Sequence, residues 1–240
     1  MLGPRRLSAL LLSVSLVLLG PVALAAPSEK NAARPSEGAT KNQNAEAPPT
    51  VPSEGAPIAS DSPAAVVERL HAGLIQSMKE ADELGFQGRF DYLRPVVEEN
   101  FDLVFMGSKS VGRHWKKLSP EEQKLWLDKF TGFLAANYAG NFNAYGGESF
   151  HTLGEQPAKR ETRVVLTELR VPGKDKVILN YRLRKTSKGW KIIDIYLKGT
   201  VSELALRRSD FSSTLKEKGF PDLATAVDQK ILELRNKAGG

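Results

Sequence analysis

The residues of this sequence that could do chemistry are few, and the most notable is the carboxylate Asp194. It lies in residues 190–198, where side chains alternate with a period of two and predict a strand that is largely buried on both faces. A carboxylate in such a strand needs a counter-charge, and Arg207 and Arg208 follow a short distance along the chain. We predict a structural ion pair of Asp194 with Arg207 or Arg208, the alternative being a catalytic acid.

The sequence contains no motif for binding a metal ion or for nucleophilic catalysis. His71, His114 and His151 are the only histidines, there is no cysteine, and no histidine stands at a metal-ligand spacing. We interpret each histidine as a surface or packing residue. Residues 107–114 nearly match a phosphate-binding loop, but Arg113 and His114 replace the Lys and Ser/Thr that it requires, and no Gly-x-Ser-x-Gly elbow occurs. The sequence therefore predicts no catalytic residue, no metal site and no cofactor.

The strand that holds Asp194 leads directly into a basic helix. Because side chains alternate along a strand, Ile193, Ile195 and Leu197 should lie on one face. Its other face should carry Trp190, Ile192, Asp194 and Tyr196. Gly199 lets the strand stop abruptly, and Thr200 or Ser202 can cap the following helix by accepting a backbone N–H.

Helices are predicted in the first half of the folded region. Ser62 followed by Pro63 opens a helix that Gly85 ends, and shorter helices follow at 86–100 and 101–115. Ser119 begins a capping signal for a long helix that extends to about Tyr145. Its apolar face is broad and rich in aromatic side chains: Trp126, Phe130, Phe133, Leu134, Tyr138, Phe142 and Tyr145.

After two consecutive glycines the period changes from 3.6 to two. Strands are predicted at 150–153, 160–171, 176–185 and 189–198, with helices at 201–218 and 221–237. This order predicts an α+β fold, with helices packed on one curved antiparallel four-stranded sheet.

The aromatic helix face and the apolar sheet face should oppose each other. An aromatic stripe is usually solid core, but bulky and soft side chains on both walls could also leave an apolar cavity for lipid tails. Exposing some thirty lipid carbons to water would cost about 20 kcal/mol, so a carrier must enclose its lipid almost completely. The candidate lining is Phe101, Met106, Trp126, Phe130, Phe133, Tyr138, Phe142, Tyr145, Val177, Leu179, Tyr181, Ile193, Ile195 and Leu197.

The N-terminal quarter differs from the rest. Residues 1–25 combine Arg5 and Arg6, a short apolar run and an Ala-Leu-Ala site, which is typical of a cleaved Sec-type signal peptide; an uncleaved anchor is the alternative. Residues 26–62 are rich in Pro, Ser and Ala and predict a disordered linker, so the folded domain is 63–240. A net charge of +6 without a dense basic stripe argues against nucleic-acid binding and for weak, transient contact with anionic surfaces.

Several of these residues also carry a family resemblance: Trp190, Asp194, Gly199, Ser202, Arg208, Ser209 and Phe211. Over roughly residues 63–236 the chain resembles the periplasmic lipid-carrier family of the Mla (maintenance of lipid asymmetry) pathway, also called the MlaC or toluene-tolerance family. The segments GTVSELALRRSDF and FDLVFMGSKSVGRHW look most like its hopanoid-biosynthesis-associated branch, HpnM.

The resemblance implies a function. It implies a non-enzymatic, soluble and monomeric periplasmic carrier that moves hopanoid or phospholipid between inner and outer membranes, with a tail-binding cavity between sheet and helices. Its partners would be an inner-membrane lipid transporter and an outer-membrane acceptor complex. Two alternatives are a partner-binding adaptor of a lipid-transport complex, and an enzyme that uses Asp194, Tyr196 or His114 in a cone-shaped pocket.

Overall fold

The computed structural model describes residues 61–239. The predicted signal peptide and all but the last two residues of the predicted linker lie outside the described residues. The helices are α1 (Pro63–Lys79), α2 (Ala81–Asn100), α3 (Leu103–Ser110), the 3₁₀ helix η1 (Gly112–Lys117), α4 (Pro120–Asn141), α5 (Glu203–Lys218) and α6 (Phe220–Lys237). The strands are β1 (Ser149–Ala158), β2 (Thr162–Arg170), β3 (Val177–Thr186), β4 (Gly189–Leu197) and β5 (Val201–Ser202).

The predicted starts of the first helix and of the long helix are confirmed, because local side chains cap them. The Ser62 hydroxyl accepts the Ala65 N–H at 3.1 Å, with Pro63 at the first helical position. At α4, Ser119 and Glu122 form a capping box in which each side chain accepts the other's backbone N–H, at 3.2 and 2.8 Å.

The predicted ends at residues 100, 218 and 237 are confirmed for α2, α5 and α6, whereas the helix predicted at 86–100 begins earlier, at Ala81, and the ends of the first and the long helix need correction. The first helix ends at Lys79, and α2 runs through Gly85, whose φ of +56° kinks it. The long helix α4 ends at Asn141 and not near Tyr145, since Phe142 leaves the helical conformation. Tyr145 is therefore displaced from the aromatic face of α4 and lies exposed, beneath the Lys79 ammonium group.

The sheet is an open antiparallel meander with strand order β1-β2-β3-β4-β5. The prediction of four strands is wrong, because the two-residue β5 pairs with the end of β4 after the turn at Gly199. Strand β1 is longer than predicted because a register shift between Thr152 and Gly154 interrupts its alternation. The α+β class and the antiparallel arrangement are confirmed.

A bulge in β4 changes which side chains share a face. Arg182 pairs with Asp194 and Leu183 pairs with Ile192, so Ile193 is an extra residue in the ladder. Ile192, predicted on the opposite side from Ile195, is instead fully buried in the main core.

The main core lies between the helices and the sheet face that carries Leu179, Tyr181 and Leu183. Arg89, also buried, donates to the carbonyls of Ala139 at 3.1 Å and Ala81 at 2.9 Å, and so holds the end of α4 against the start of α2. No helix in residues 61–239 is both long and apolar enough to span a bilayer.

Candidate functional site

The first half of the aromatic face of α4 packs against α5. Trp126 is fully buried, and its ring meets Phe211 edge-on at 5.1 Å between centroids. Phe133 meets Phe211 in the same way at 5.7 Å, and the Arg207 guanidinium lies 5.2 Å from the Phe133 ring. These contacts are those of a tightly packed aromatic core.

Trp126 is also fixed by a hydrogen bond, because its indole N–H donates to the Gly107 carbonyl of α3 at 2.9 Å. The ring of Phe130 packs 6.2 Å from that of Trp126, and Met106 of α3 is buried in the same core. The side chains at this end of the predicted cavity therefore contact one another directly.

A second row of rings runs from α4 to the sheet and α1. Tyr138 lies 6.1 Å from Phe101 and 6.0 Å from Phe142, and Phe142 lies 6.0 Å from Phe150 of β1. Phe150 stacks on the imidazole of His71 at 3.9 Å. We call these five residues the aromatic row; it crosses the interior between helices and sheet.

Polar atoms lie within this otherwise apolar row. The His71 Nε2 atom and the Tyr181 hydroxyl are 3.1 Å apart and hydrogen bonded. Burial lowers the pKa of His71 to about 3, so the imidazole is neutral at neutral pH. Burial also raises the pKa of the Tyr181 hydroxyl, which therefore stays protonated.

Tyr138 differs, because its hydroxyl is buried and has no hydrogen-bond partner in the described part of the chain. Burial raises the pKa of this hydroxyl well above its usual value, with smaller contributions from Tyr181 and Glu203. A buried hydroxyl left unpaired costs about 1–3 kcal/mol. The Tyr138 hydroxyl is thus a neutral donor and acceptor that the fold does not satisfy.

The sheet wall is tight at one end and looser at the other. Leu183 and Ile192 are fully buried and adjacent across the ladder. Toward β5, Leu179 and Leu197 are paired, and Leu197 and Ile195 are only partly buried. Val177, at the start of β3, is also partly buried.

The predicted ion pair is not formed. Asp194 accepts hydrogen bonds from the Ser202 hydroxyl at 2.6 Å and from the N–H groups of Leu204 at 3.1 Å and Ile195 at 2.8 Å. Burial raises the pKa of the Asp194 carboxyl, and these hydrogen bonds partly offset that effect. The prediction failed because the carboxylate caps the start of α5 instead of reaching the two arginines about one turn further on.

The two arginines have other neighbours. Arg207 pairs with Glu203 at 3.5 Å, one turn earlier on α5. Burial raises the pKa of the Glu203 carboxyl, which Arg207 counteracts. Arg208 is exposed and lies beside Gly112, where an added Cβ would stand 3.0 Å from its Nε.

Sequence reasoning missed the role of two residues, His71 and Phe150. The signal for His71 was available, because it lies three residues before Leu74 and four after Val67 on the apolar stripe of α1. Phe150 lies in a strand whose bulge hid its pattern. Within residues 61–239, no three side chains of His, Asp or Glu come together to hold a metal.

An open five-stranded antiparallel sheet, covered by helices and with a mostly buried aromatic row between them, defines a small α+β domain. The MlaC protein family matches residues 68–229 of this sequence, and the chain belongs to that family. Proteins of this family are periplasmic. The match does not separate the HpnM branch from the rest of the family.

A solved structure gives the same fold. It is the phospholipid-binding protein from Ralstonia solanacearum, in complex with a phospholipid. The TM-score is 0.63 at 22% sequence identity, and the alignment covers 71% of this chain and 97% of that chain.

Proposed function

We propose that this protein is a lipid-binding carrier that holds the tails of one lipid between α4 and the inner face of the sheet. The observation that carries this proposal is the unpaired Tyr138 hydroxyl within the aromatic row. A solid core would gain from Phe at this position, whereas an amphipathic ligand could satisfy the hydroxyl with an ester carbonyl or a hydroxyl group. The lipid in the Ralstonia solanacearum structure supports this reading.

The tail cavity is proposed at the looser end of the interior. Its walls would be side chains of the sheet toward β5 and three members of the aromatic row; they are Phe101, Tyr138, Phe142, Val177, Leu179, Tyr181, Ile195 and Leu197. The set around Trp126, with Met106, Phe130 and Phe133, would form the solid base of the cavity.

The proposed route is between the inner and outer membranes. In this proposal, the Sec-type signal peptide is cleaved after Ala25, and the protein moves as a monomer between an inner-membrane transporter and an outer-membrane acceptor. The cargo is a hopanoid or a phospholipid. Intact-mass measurement of the exported protein checks the cleavage, since a mass that retains residues 1–25 contradicts a freely moving carrier.

Lipid extraction from the purified protein, followed by mass spectrometry, tests the carrier proposal directly. We expect about one lipid per protein, and its class will separate hopanoid from phospholipid. Tyr138→Phe should lower the retained lipid, whereas Tyr92→Phe, at an exposed tyrosine of α2, should not. Protein that copurifies with a partner protein but never with lipid would establish the adaptor alternative instead.

A further inference from the structure

A groove of about 480 Å³ lies between η1 and α5. Its walls carry three fixed cations, Arg113, Arg208 and Lys216, together with His114. Serine hydroxyls line the same groove, at Ser209, Ser212 and Ser213.

Helix α5 separates the groove from the aromatic core around Trp126. Phe211 and Leu215 of α5 are buried, and Phe211 packs on α4. Arg208, Ser212 and Lys216 follow each other at spacings of four residues and share a different face of the helix. A ligand in the groove would therefore occupy a second site, distinct from the interior.

Among the described residues, the cations of the groove have no ion-pair partner. In residues 61–239, no ion pair connects Arg113, Arg208 or Lys216 with a carboxylate, and no carboxylate lines the groove. Glu217, outside the lining, accepts a hydrogen bond from the Ser213 hydroxyl at 3.0 Å. Gly112, with φ of +58°, leaves room for the Arg208 guanidinium beside the η1 backbone.

Guanidinium, ammonium and hydroxyl donors around one small space are the groups that recognise phosphate. The volume admits a phosphate together with the rest of a lipid headgroup, and Ala205 is the one apolar residue among the described residues of the lining. Protein interfaces depend on large aromatic or aliphatic anchors, which this groove lacks.

We propose that this groove binds the phosphate-bearing headgroup of an anionic membrane lipid and so docks the face formed by η1 and α5 on a bilayer surface. This site goes beyond the proposed carrier function, because it recognises a lipid that remains in the membrane. The basic residues of the groove and an anionic bilayer surface attract each other over about a Debye length. The contact between protein and bilayer is therefore reversible and sensitive to salt.

The test is flotation of the protein with phosphatidylcholine vesicles that contain phosphatidylglycerol, and with vesicles of phosphatidylcholine alone. The variant Arg208→Gln/Lys216→Gln removes two groove cations, and Lys185→Gln/Lys188→Gln removes two exposed cations of the β3–β4 hairpin. Each basic residue near such a surface contributes roughly fivefold in affinity. We expect the groove variant to bind anionic vesicles about thirtyfold more weakly, and the hairpin variant to bind like wild type.

Equal loss in both variants would show a general charge effect and overturn the groove as a site. The groove as a site would also be overturned if the groove variant bound anionic vesicles as tightly as wild type. The same holds if the groove captured an acidic protein and the protein bound no vesicles. If ³¹P titration shows that inorganic phosphate fills the groove while wild-type protein ignores anionic vesicles, the site belongs to a free phosphate and the lipid assignment is wrong. Thermal melting of both variants checks that they fold.

The same samples distinguish this proposal from the carrier proposal. Lipid extracted from the groove variant should equal that from wild type, because the interior is unchanged. Wild-type protein that binds anionic vesicles but contains no extractable lipid would support the groove and contradict the carrier.

Discussion

At the scale of single residues, Asp194 and Tyr138 differ in whether their polar atoms have hydrogen-bond partners. Asp194 receives three hydrogen bonds, and the two from Ser202 and Leu204 fix the start of α5 against β4. The Tyr138 hydroxyl, in contrast, has no hydrogen-bond partner among the described residues. The first residue thus serves stability and the second serves the proposed binding site.

Asp194→Ala should lower the free energy of unfolding by about 1–3 kcal/mol, because it removes the acceptor for Ser202 and for the Leu204 N–H. Urea denaturation measures this loss. Asp210→Ala, at an exposed carboxylate on α5, is the control and should change stability by less than about 0.5 kcal/mol. An Asp194→Ala protein that is as stable as wild type but loses lipid would assign Asp194 to the binding site.

His71 should make the protein labile to acid. Its pKa is about 3 in the folded state, below the ordinary value of 6.5 that the unfolded chain adopts. As the pH falls, the unfolded state therefore takes up a proton before the folded state does. The contribution of neutral His71 to the free energy of unfolding is complete above pH 6.5 and is lost as the pH falls toward 3. The slope is about 1.4 kcal/mol per pH unit in that window.

Urea denaturation at a series of pH values measures this slope. His71→Gln should flatten it, whatever its effect on stability at neutral pH, because glutamine does not titrate. His151→Gln, at a partly buried histidine of β1, is the matched control for the loss of an imidazole elsewhere in the chain. The same slope in the His71 variant and in wild type would mean that other groups cause the acid lability.

At the scale of elements, helix boundaries that local side chains fix were predictable, whereas the start of α2 and the end of α4 were not. The caps at Ser62 and Ser119 act through side chains within three residues, so the local sequence contains them. The end of α4 depends on packing between distant elements, including the bond from Arg89 to the Ala139 carbonyl. The bulge at Ile193 likewise depends on pairing across the sheet, which alternation alone cannot show.

The residues of the candidate lipid site were also predictable only in part. Sequence periodicity selected most of the buried aromatic residues of α4, because they recur at helical spacing. It could not separate those that pack on Phe211 from those near the unpaired Tyr138 hydroxyl, since that difference arises from where α5 lies.

Trp126→Phe tests the proposed solid base of the interior. It removes the bond to the Gly107 carbonyl and leaves a void beside Phe211, so the free energy of unfolding should fall by about 2–4 kcal/mol. Thermal or urea unfolding of lipid-free protein measures the change. Leu125→Ala, at an exposed neighbour on α4, should cost less than about 0.5 kcal/mol. Loss of lipid without loss of stability would place Trp126 in the cavity wall.

At the scale of the whole molecule, the family match and the arrangement of layers agree. The family region, residues 68–229, extends from α1 to α6 and so includes both walls of the interior. The helices and the residues that end them supply the aromatic row except for Phe150, and the sheet supplies Phe150 and an apolar face that is less buried toward β5. A carrier requires that the two walls can separate around lipid tails without unfolding.

Substitutions that fill the interior distinguish a cavity from a solid core. Leu179→Trp adds bulk at the looser end of β3, and Ala136→Phe adds bulk on the buried face of α4. In a cavity the new side chain displaces lipid, so we expect less copurifying lipid and a nearly unchanged melting temperature of the lipid-free protein. Leu183→Trp, on the same face of β3 but tightly packed on Ile192, is the control and should cost about 1–3 kcal/mol through strain. If all three substitutions unfold the protein and wild type carries no lipid, the interior is solid core and the carrier proposal fails.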